Sequence, residues 1–146
     1  MSNLSPQYRD TVIQLDTNID DSTAEELGYC VEQLLAAGVL DAWFTPIYMK
    51  KGRPAYQLSV LCKPDREEQV VRILFRHTTS IGLRRSETER IVMDREPVTL
   101  DTPYGPVQGK RCTYEDLEKV SVEYEDARRL AEANGVRISE ILRSAK

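Results

Sequence analysis

The sequence predicts an α+β fold, and three observations carry that prediction. Leu27, Cys30, Val31, Leu34 and Leu35 recur at i, i+3, i+4, i+7 and i+8, the spacing of one helix face. Tyr56, Leu58, Val60 and Cys62 alternate with Gln57 and Ser59, the period-two pattern of a strand buried on one side. Between these elements, Lys50-Lys51-Gly52-Arg53-Pro54 separates two β-rich runs with a freely turning glycine and a proline restart, which reads as an antiparallel turn.

The remaining elements follow in chain order. Tyr8 to Ile19, with Val12, Ile13 and Leu15, makes a first strand that Asp20-Asp21 breaks. Ser22-Thr23-Ala24-Glu25 has capping-box spacing for the first helix, and Gly38 sits where a helix C-cap glycine belongs. Val39 to Met49, rich in aromatic and β-branched residues, predicts a buried second strand, antiparallel to the third. Pro64-Asp65-Arg66-Glu67-Glu68 opens a second helix, with Asp65 and Glu68 at capping-box spacing and Val70, Val71, Leu74 and Phe75 as its apolar face. A polar turn, Thr78 to Gly82, leads to a fourth strand from Arg84 to Met93. The order β-α-β-β-α-β is that of a ferredoxin-like sheet with its helices on one face. Val98 to Lys110, turning at Thr102-Pro103-Tyr104-Gly105-Pro106, adds a β-hairpin. Ser121-Val122-Glu123-Tyr124 caps a third helix carrying Ala127, Leu130 and Ala131, which stops at Asn134-Gly135, and Ile138 to Leu142 forms a short terminal helix. The expected organisation is a flank over residues 1–11 and a single domain over 12–146.

Composition limits the function classes. The 146 residues carry a net charge of −4, with 40% hydrophobic and 30% charged residues, an ordinary globular balance that argues against general nucleic-acid or membrane-surface binding. No apolar run approaches the length of a membrane span, and Met1-Ser2-Asn3-Leu4-Ser5-Pro6 lacks a charged-then-apolar leader pattern, so a cytoplasmic location is expected. Cys30, Cys62 and Cys112 are widely spaced and His77 is the single histidine, a set poorly suited to a disulfide framework or a soft-metal cage. A hard cation held by carboxylates and phosphates suits the chain better.

Three polar clusters could carry chemistry. Lys50, Lys51 and Arg53 crowd three positive charges into four residues beside Gly52, an arrangement suited to a triphosphate or simply to a solvated hairpin tip. Thr78, Thr79 and Ser80, followed by Arg84 and Arg85, offer hydroxyls and cations to phosphate, or form an ordinary turn and an exposed strand start. Asn18, Asp20 and Asp21 offer oxygen ligands to Mg²⁺ or Mn²⁺, or serve only to start a helix. There is no Gly-x-Ser-x-Gly motif, Walker-type loop or dinucleotide fingerprint. Any nucleotide would need a site of another kind.

Several of these stretches, with others, form a resemblance. Thr17-Asn18-Ile19-Asp20-Asp21, Thr45 through Pro54, Thr78-Thr79-Ser80-Ile81-Gly82, Asp94-Arg95-Glu96, Thr102 through Val107 and Ser121 through Asp126 together resemble the C-terminal half of the LarC family. The resemblance runs from about Leu15 to about Asn134. It implies a CTP-dependent nickel chelatase, or cyclometallase, of the lactate racemase cofactor pathway. Such an enzyme inserts Ni²⁺ into pyridinium-3,5-bisthiocarboxylic acid mononucleotide, the pincer precursor, while CTP is cleaved to CMP and pyrophosphate with Mn²⁺ or Mg²⁺ assisting. This chain would then be the CTP-binding domain, working with the N-terminal half of the family protein. In that setting Lys50, Lys51, Arg53, Arg84 and Arg85 would neutralise the triphosphate, Thr78, Thr79 and Ser80 would donate to it, and Asn18, Asp20 and Asp21 would hold the cation. A homo-oligomer is expected from exposed strand edges. The rival reading from another class is a non-catalytic small-ligand-sensing or oligomerisation module of the same fold.

Overall fold

Alternation along β1 (Arg9–Ile19) organises the first part of the chain. Its pairing with β3 (Arg53–Cys62) is antiparallel and sets Ile13 against Cys62, Leu15 against Val60 and Thr17 against Leu58. Side chains alternate across a strand, so this register places one apolar row on one face of the sheet. Helices α1 (Ala24–Ala36) and α2 (Glu67–His77) close that face with Leu27, Cys30 and Leu34 from one and Val70 and Leu74 from the other. Each buried leucine or valine among them contributes about 1.5–3 kcal/mol relative to its exposed state. The four strands run in the order β2-β3-β1-β4, with β2 at Asp41–Met49 and β4 at Arg84–Ile91. This is the expected βαββαβ, ferredoxin-like arrangement.

The computed structural model describes residues 4–146. These divide into two compact units: Asp10–Arg90, and Ile91–Lys146 together with the segment up to Arg9. The sequence reading instead sets residues 1–11 apart as a flank and treats 12–146 as one domain. In the second unit the Tyr8 ring lies 4.6 Å from that of Tyr114, and its hydroxyl accepts the Glu115 N–H at 3.0 Å.

Local details differ from expectation in four places. β2 is an edge strand rather than a buried one, with Trp43, Phe44 and Tyr48 exposed. Aromatic content marks a strand but does not say where in the sheet it lies, whereas Pro46, which has no N–H to donate, fits an edge. The α1 capping box forms one residue later, between Thr23 and Glu26, each backbone N–H meeting the other's side chain. The Asp65–Glu68 box does not form. Pro64–Arg66 is consumed by a 3-10 turn, and Arg66 starts α2 without a side-chain cap. The fourth difference lies in the second unit. There β5 (Asp94–Leu100), β6 (Val107–Tyr114) and β7 (Leu117–Val122) form a three-stranded antiparallel meander where a two-stranded hairpin is expected. β7 occupies part of the stretch read as a helix cap.

α3 (Tyr124–Asn134) and α4 (Ile138–Ser144) pack Ala127, Leu130, Ala131 and Ile141 against Leu100 and Val107. Gly135, at φ 63°, ends α3 where the sequence places its stop. Gly109 has no room for a side chain: a Cβ there would sit 2.6 Å from the Ser121 carbonyl oxygen. Asp126 ties α3 to β6 by accepting the Gln108 N–H at 2.7 Å. That bond, followed by the Arg129 guanidinium, holds its carboxyl below the usual range.

Candidate functional site

The antiparallel order of the first sheet brings the C-terminal end of β1, the β2–β3 turn and the start of β4 to one edge of the unit. The three polar clusters of the sequence meet there. Arg53 Nη1 lies 3.3 Å from Asp20 Oδ2, Arg84 Nη2 donates to Asn18 Oδ1 at 3.0 Å, and Thr79 Oγ1 donates to Asp21 Oδ1 at 2.5 Å. Each candidate oxygen ligand therefore rests against a candidate phosphate donor.

Lys50 and Lys51 differ from these. They have no ion-pair or hydrogen-bond partner among the described residues, and both are exposed. Lys51 also holds φ 63° and ψ 20°, followed by Gly52 at φ 69°. A left-handed backbone costs a residue with a Cβ about 1–2 kcal/mol, so glycine or asparagine would suit the turn better than lysine. A strained, unpaired cation at a hairpin tip is a feature that stability alone does not favour.

The loop hydroxyls are already engaged. Thr78 Oγ1 donates to the Leu74 carbonyl at 2.6 Å at the end of α2, Ser80 Oγ donates to the Gly82 carbonyl at 2.7 Å, and Thr17 and Ser80 share a hydrogen bond at 2.5 Å. Thr79, exposed and bonded only to Asp21, is the one most readily turned toward a ligand. Arg85 is not part of the group. Adjacent strand residues point to opposite faces, and Arg85 is forked onto Glu67 in the first turn of α2, with Glu87 at 3.2 Å. The hydrogen bond from Arg85 lowers the Glu67 carboxyl in turn.

Two features were not singled out from the sequence. On the sheet face opposite the helices, Asp16 accepts from Ser59 Oγ at 2.6 Å, from Gln57 Nε2 at 3.3 Å and from Gln14 Nε2 at 3.1 Å. The signal was present in the even-numbered run Gln14, Asp16, Asn18, which alternation puts on one face. The second is a cleft of about 180 Å³ on the β2–β3 hairpin, beside the lysines.

Soft ligands are few. No three His, Cys, Asp or Glu side chains converge on one point among the described residues, and His77 packs edge-on against the Tyr29 ring at 5.5 Å. Burial pushes the Cys30 thiol up to about 11. Cys62 is raised too, by burial first and then by the Glu67 carboxylate. Cys112 is only partly covered. A thiol-reagent time course on the native protein is therefore expected to show one fast thiol and two slow ones, with the fast phase missing in Cys112→Ser. Fast reaction of all three would show that the first core opens freely.

Comparison with known proteins settles the ancestry. A family model described as nickel insertion protein matches residues 2–142. The chain belongs to the nickel insertion protein family. It is 44% identical over 137 residues to a putative nickel insertion protein of Enterococcus faecalis, covering 94% of this chain and 42% of that protein. Against the pyridinium-3,5-bisthiocarboxylic acid mononucleotide nickel insertion protein of Lactiplantibacillus plantarum it is 45% identical, covering 84% of this chain and 29% of the relative. It thus spans less than half the length of these family members. Among solved structures, it is similar to one titled LarC2, the C-terminal domain of a cyclometallase involved in the synthesis of the NPN cofactor of lactate racemase, apo form. The TM-score is 0.85 at 40% identity, covering 93% of this chain and 94% of that one. A protein from Methanopyrus kandleri matches with a TM-score of 0.68 at 27% identity, covering 92% and 86%. No helix among the described residues is long and apolar enough to cross a membrane.

Proposed function

We propose that this chain binds the triphosphate of CTP, with a divalent cation, at the sheet edge described above. It thereby supplies the nucleotide-binding part of a nickel-insertion reaction on pyridinium-3,5-bisthiocarboxylic acid mononucleotide. The observation that carries the reading is the pair Lys50 and Lys51, without an ion-pair or hydrogen-bond partner among the described residues, at a turn where Lys51 holds φ 63°. Family membership and the names of the longer relatives support the choice of reaction.

Each group has a role in that reading. Lys50 and Lys51 take phosphate oxygens as point charges, while Arg53 and Arg84 turn from Asp20 and Asn18 toward the same oxygens. Thr79, and with it the Thr78–Ser80 loop, donates hydroxyls. Arg85 stays on Glu67 and only braces β4 against α2. The donor set Asn18, Asp20 and Asp21 fits Mn²⁺ or Mg²⁺, since two carboxylates and an amide oxygen are hard ligands whose present partners are displaceable. A divalent cation so placed would draw charge from the phosphates as CMP and pyrophosphate separate. The lysines and arginines stabilise the charge that grows on the departing pyrophosphate.

Calorimetric titration with CTP, UTP and ATP, with and without Mn²⁺, tests the reading. Saturable CTP binding that tightens with Mn²⁺ is expected. No saturable CTP binding in the presence of Mn²⁺ would overturn it.

A further inference from the structure

We propose that the uncovered face of the β5-β6-β7 sheet binds the pincer precursor, its ring beside Tyr124 and its acidic groups on Arg95, Lys110 and Lys119. The choice of ligand rests on the reaction proposed above. The site lies in the second unit and shares no residue with the triphosphate site.

Strand register sorts the charges of this sheet. Leu100 pairs with Val107, and both pack under α3 and α4. Alternation puts Asp94 and Glu96 of β5 on that same side, with Arg111 of β6 and Glu118 of β7 across from them. Every carboxylate of the three strands is therefore on the helix side, where Arg111 meets Glu96 and Glu118. The other face carries Arg95 and Lys119, directly across from Cys112 on its two sides, and Lys110 two residues along β6. Arg95 and Lys119 are exposed and have no ion-pair or hydrogen-bond partner among the described residues, while Lys110 meets Glu123 at 3.2 Å. Two unpaired cations, two strand spacings or roughly 10 Å apart, make this face a surface for anions in a chain of net charge −4.

A cleft of about 330 Å³ opens beside this face, lined by Lys110, Ser121, Glu123, Tyr124 and their neighbours. Tyr124 is 62% exposed and makes no ring contact among the described residues. Ser121 sits across from Lys110 and two residues, roughly 7 Å, from Lys119, so the cleft and the cations border one surface. An open tyrosine face attracts a flat cation. The carboxylates at the cleft are already engaged, Glu123 by Lys110 and Glu125 by Arg128 at 3.6 Å, so a bare metal ion finds no unpaired negative charge there.

The combination selects a class of ligand. Inorganic phosphate would use the cations and leave the tyrosine idle, and an apolar ring would do the reverse. A pyridinium ring bearing two thiocarboxylates and a sugar phosphate uses both, since its ring is positive and its arms are negative. Arg95 can fork onto one acidic group, and the lysines take the others as point charges.

The test titrates the precursor, and separately CTP with Mn²⁺, into the wild type, an Arg95→Ala/Lys119→Ala double variant, Tyr124→Ala and Tyr124→Phe. Saturable precursor binding by the wild type is expected, weaker by at least about tenfold in the double variant and by about fivefold in Tyr124→Ala. Tyr124→Phe should bind as the wild type does, and CTP affinity should stay the same throughout. The replaced side chains are exposed, so the variants are expected to fold, and a melting curve for each checks this. Labelling of Cys112 in the wild type gives a readout that needs no variant. The oxygen analogue of the precursor, with carboxylates in place of thiocarboxylates, should slow the fast thiol phase, and inorganic phosphate at the same concentration should not. Equal protection by phosphate would reduce the face to a general anion surface and overturn the proposal. Unchanged precursor affinity in the double variant and in Tyr124→Ala, or no precursor binding by the wild type, would also overturn it while leaving CTP binding intact. Normal precursor binding without CTP binding would support this site and remove the triphosphate reading alone.

Discussion

Replacing Lys50 and Lys51 together by alanine is expected to weaken CTP binding by well over tenfold with little change in the melting temperature. Each charge-assisted contact to a phosphate oxygen is worth about 1.5–3 kcal/mol, whereas a solvated lysine contributes almost nothing to folding. Neither lysine has a partner among the described residues, so no ion pair is lost. The strained turn is also unaffected, because alanine and lysine carry the same Cβ at φ 63°. Affinity and stability therefore separate in this double variant. The same experiment on Arg53 would not give so clean a result, since its removal also frees Asp20. Unchanged CTP affinity in the double variant would return the lysines to the role of a solvated hairpin tip.

The parts of the fold that were legible in the sequence are those set by local periodicity. The apolar stripe from Leu27 to Leu34 and the alternation from Tyr56 to Cys62 each name a buried face, and the register of β1 with β3 joins those faces into one core. What escaped depends on non-local order or on unusual backbone. Nothing in Val39 to Met49 reveals that β3 has a neighbour on both sides while β2 has only one, apart from Pro46. β7 escaped because the turn before it is made by Glu115 at φ 51°, where no glycine or asparagine announces a reversal, and because Leu117, Val120 and Val122 do not keep period two.

The candidate site shows the same division. Its residue types were readable, since Lys-Lys-Gly-Arg, Thr-Thr-Ser and the Asn18–Asp21 stretch are each conspicuous alone. Their convergence was not, because it depends on the strand order that puts β3 and β4 on either side of β1. Alternation also separates Arg84 from Arg85, two neighbours that composition treats as one basic patch. The Asp16 network with Ser59 and Gln57 depends on a cross-strand register and becomes visible only once β1 and β3 are aligned.

This chain on its own is expected to form no nickel cofactor when given the pincer precursor, CTP, Mn²⁺ and Ni²⁺. Nickel in transit requires thiolate, imidazole or several carboxylates within reach of one another. Here the Cys30 and Cys62 thiols are buried and held protonated, and His77 is packed against Tyr29. Among the described residues no three candidate ligands converge. The family members it matches are more than twice as long, and on the proposed reading nickel is handled by the part of them outside this chain. Product should appear once that part, the N-terminal half in the proposed arrangement, is supplied. Mass spectrometry of the cofactor provides the readout, with CTP consumption measured alongside. Stoichiometric nickel cofactor from this chain alone would overturn the division of labour. It would also locate the first nickel ligands on the paired sulfurs of the substrate.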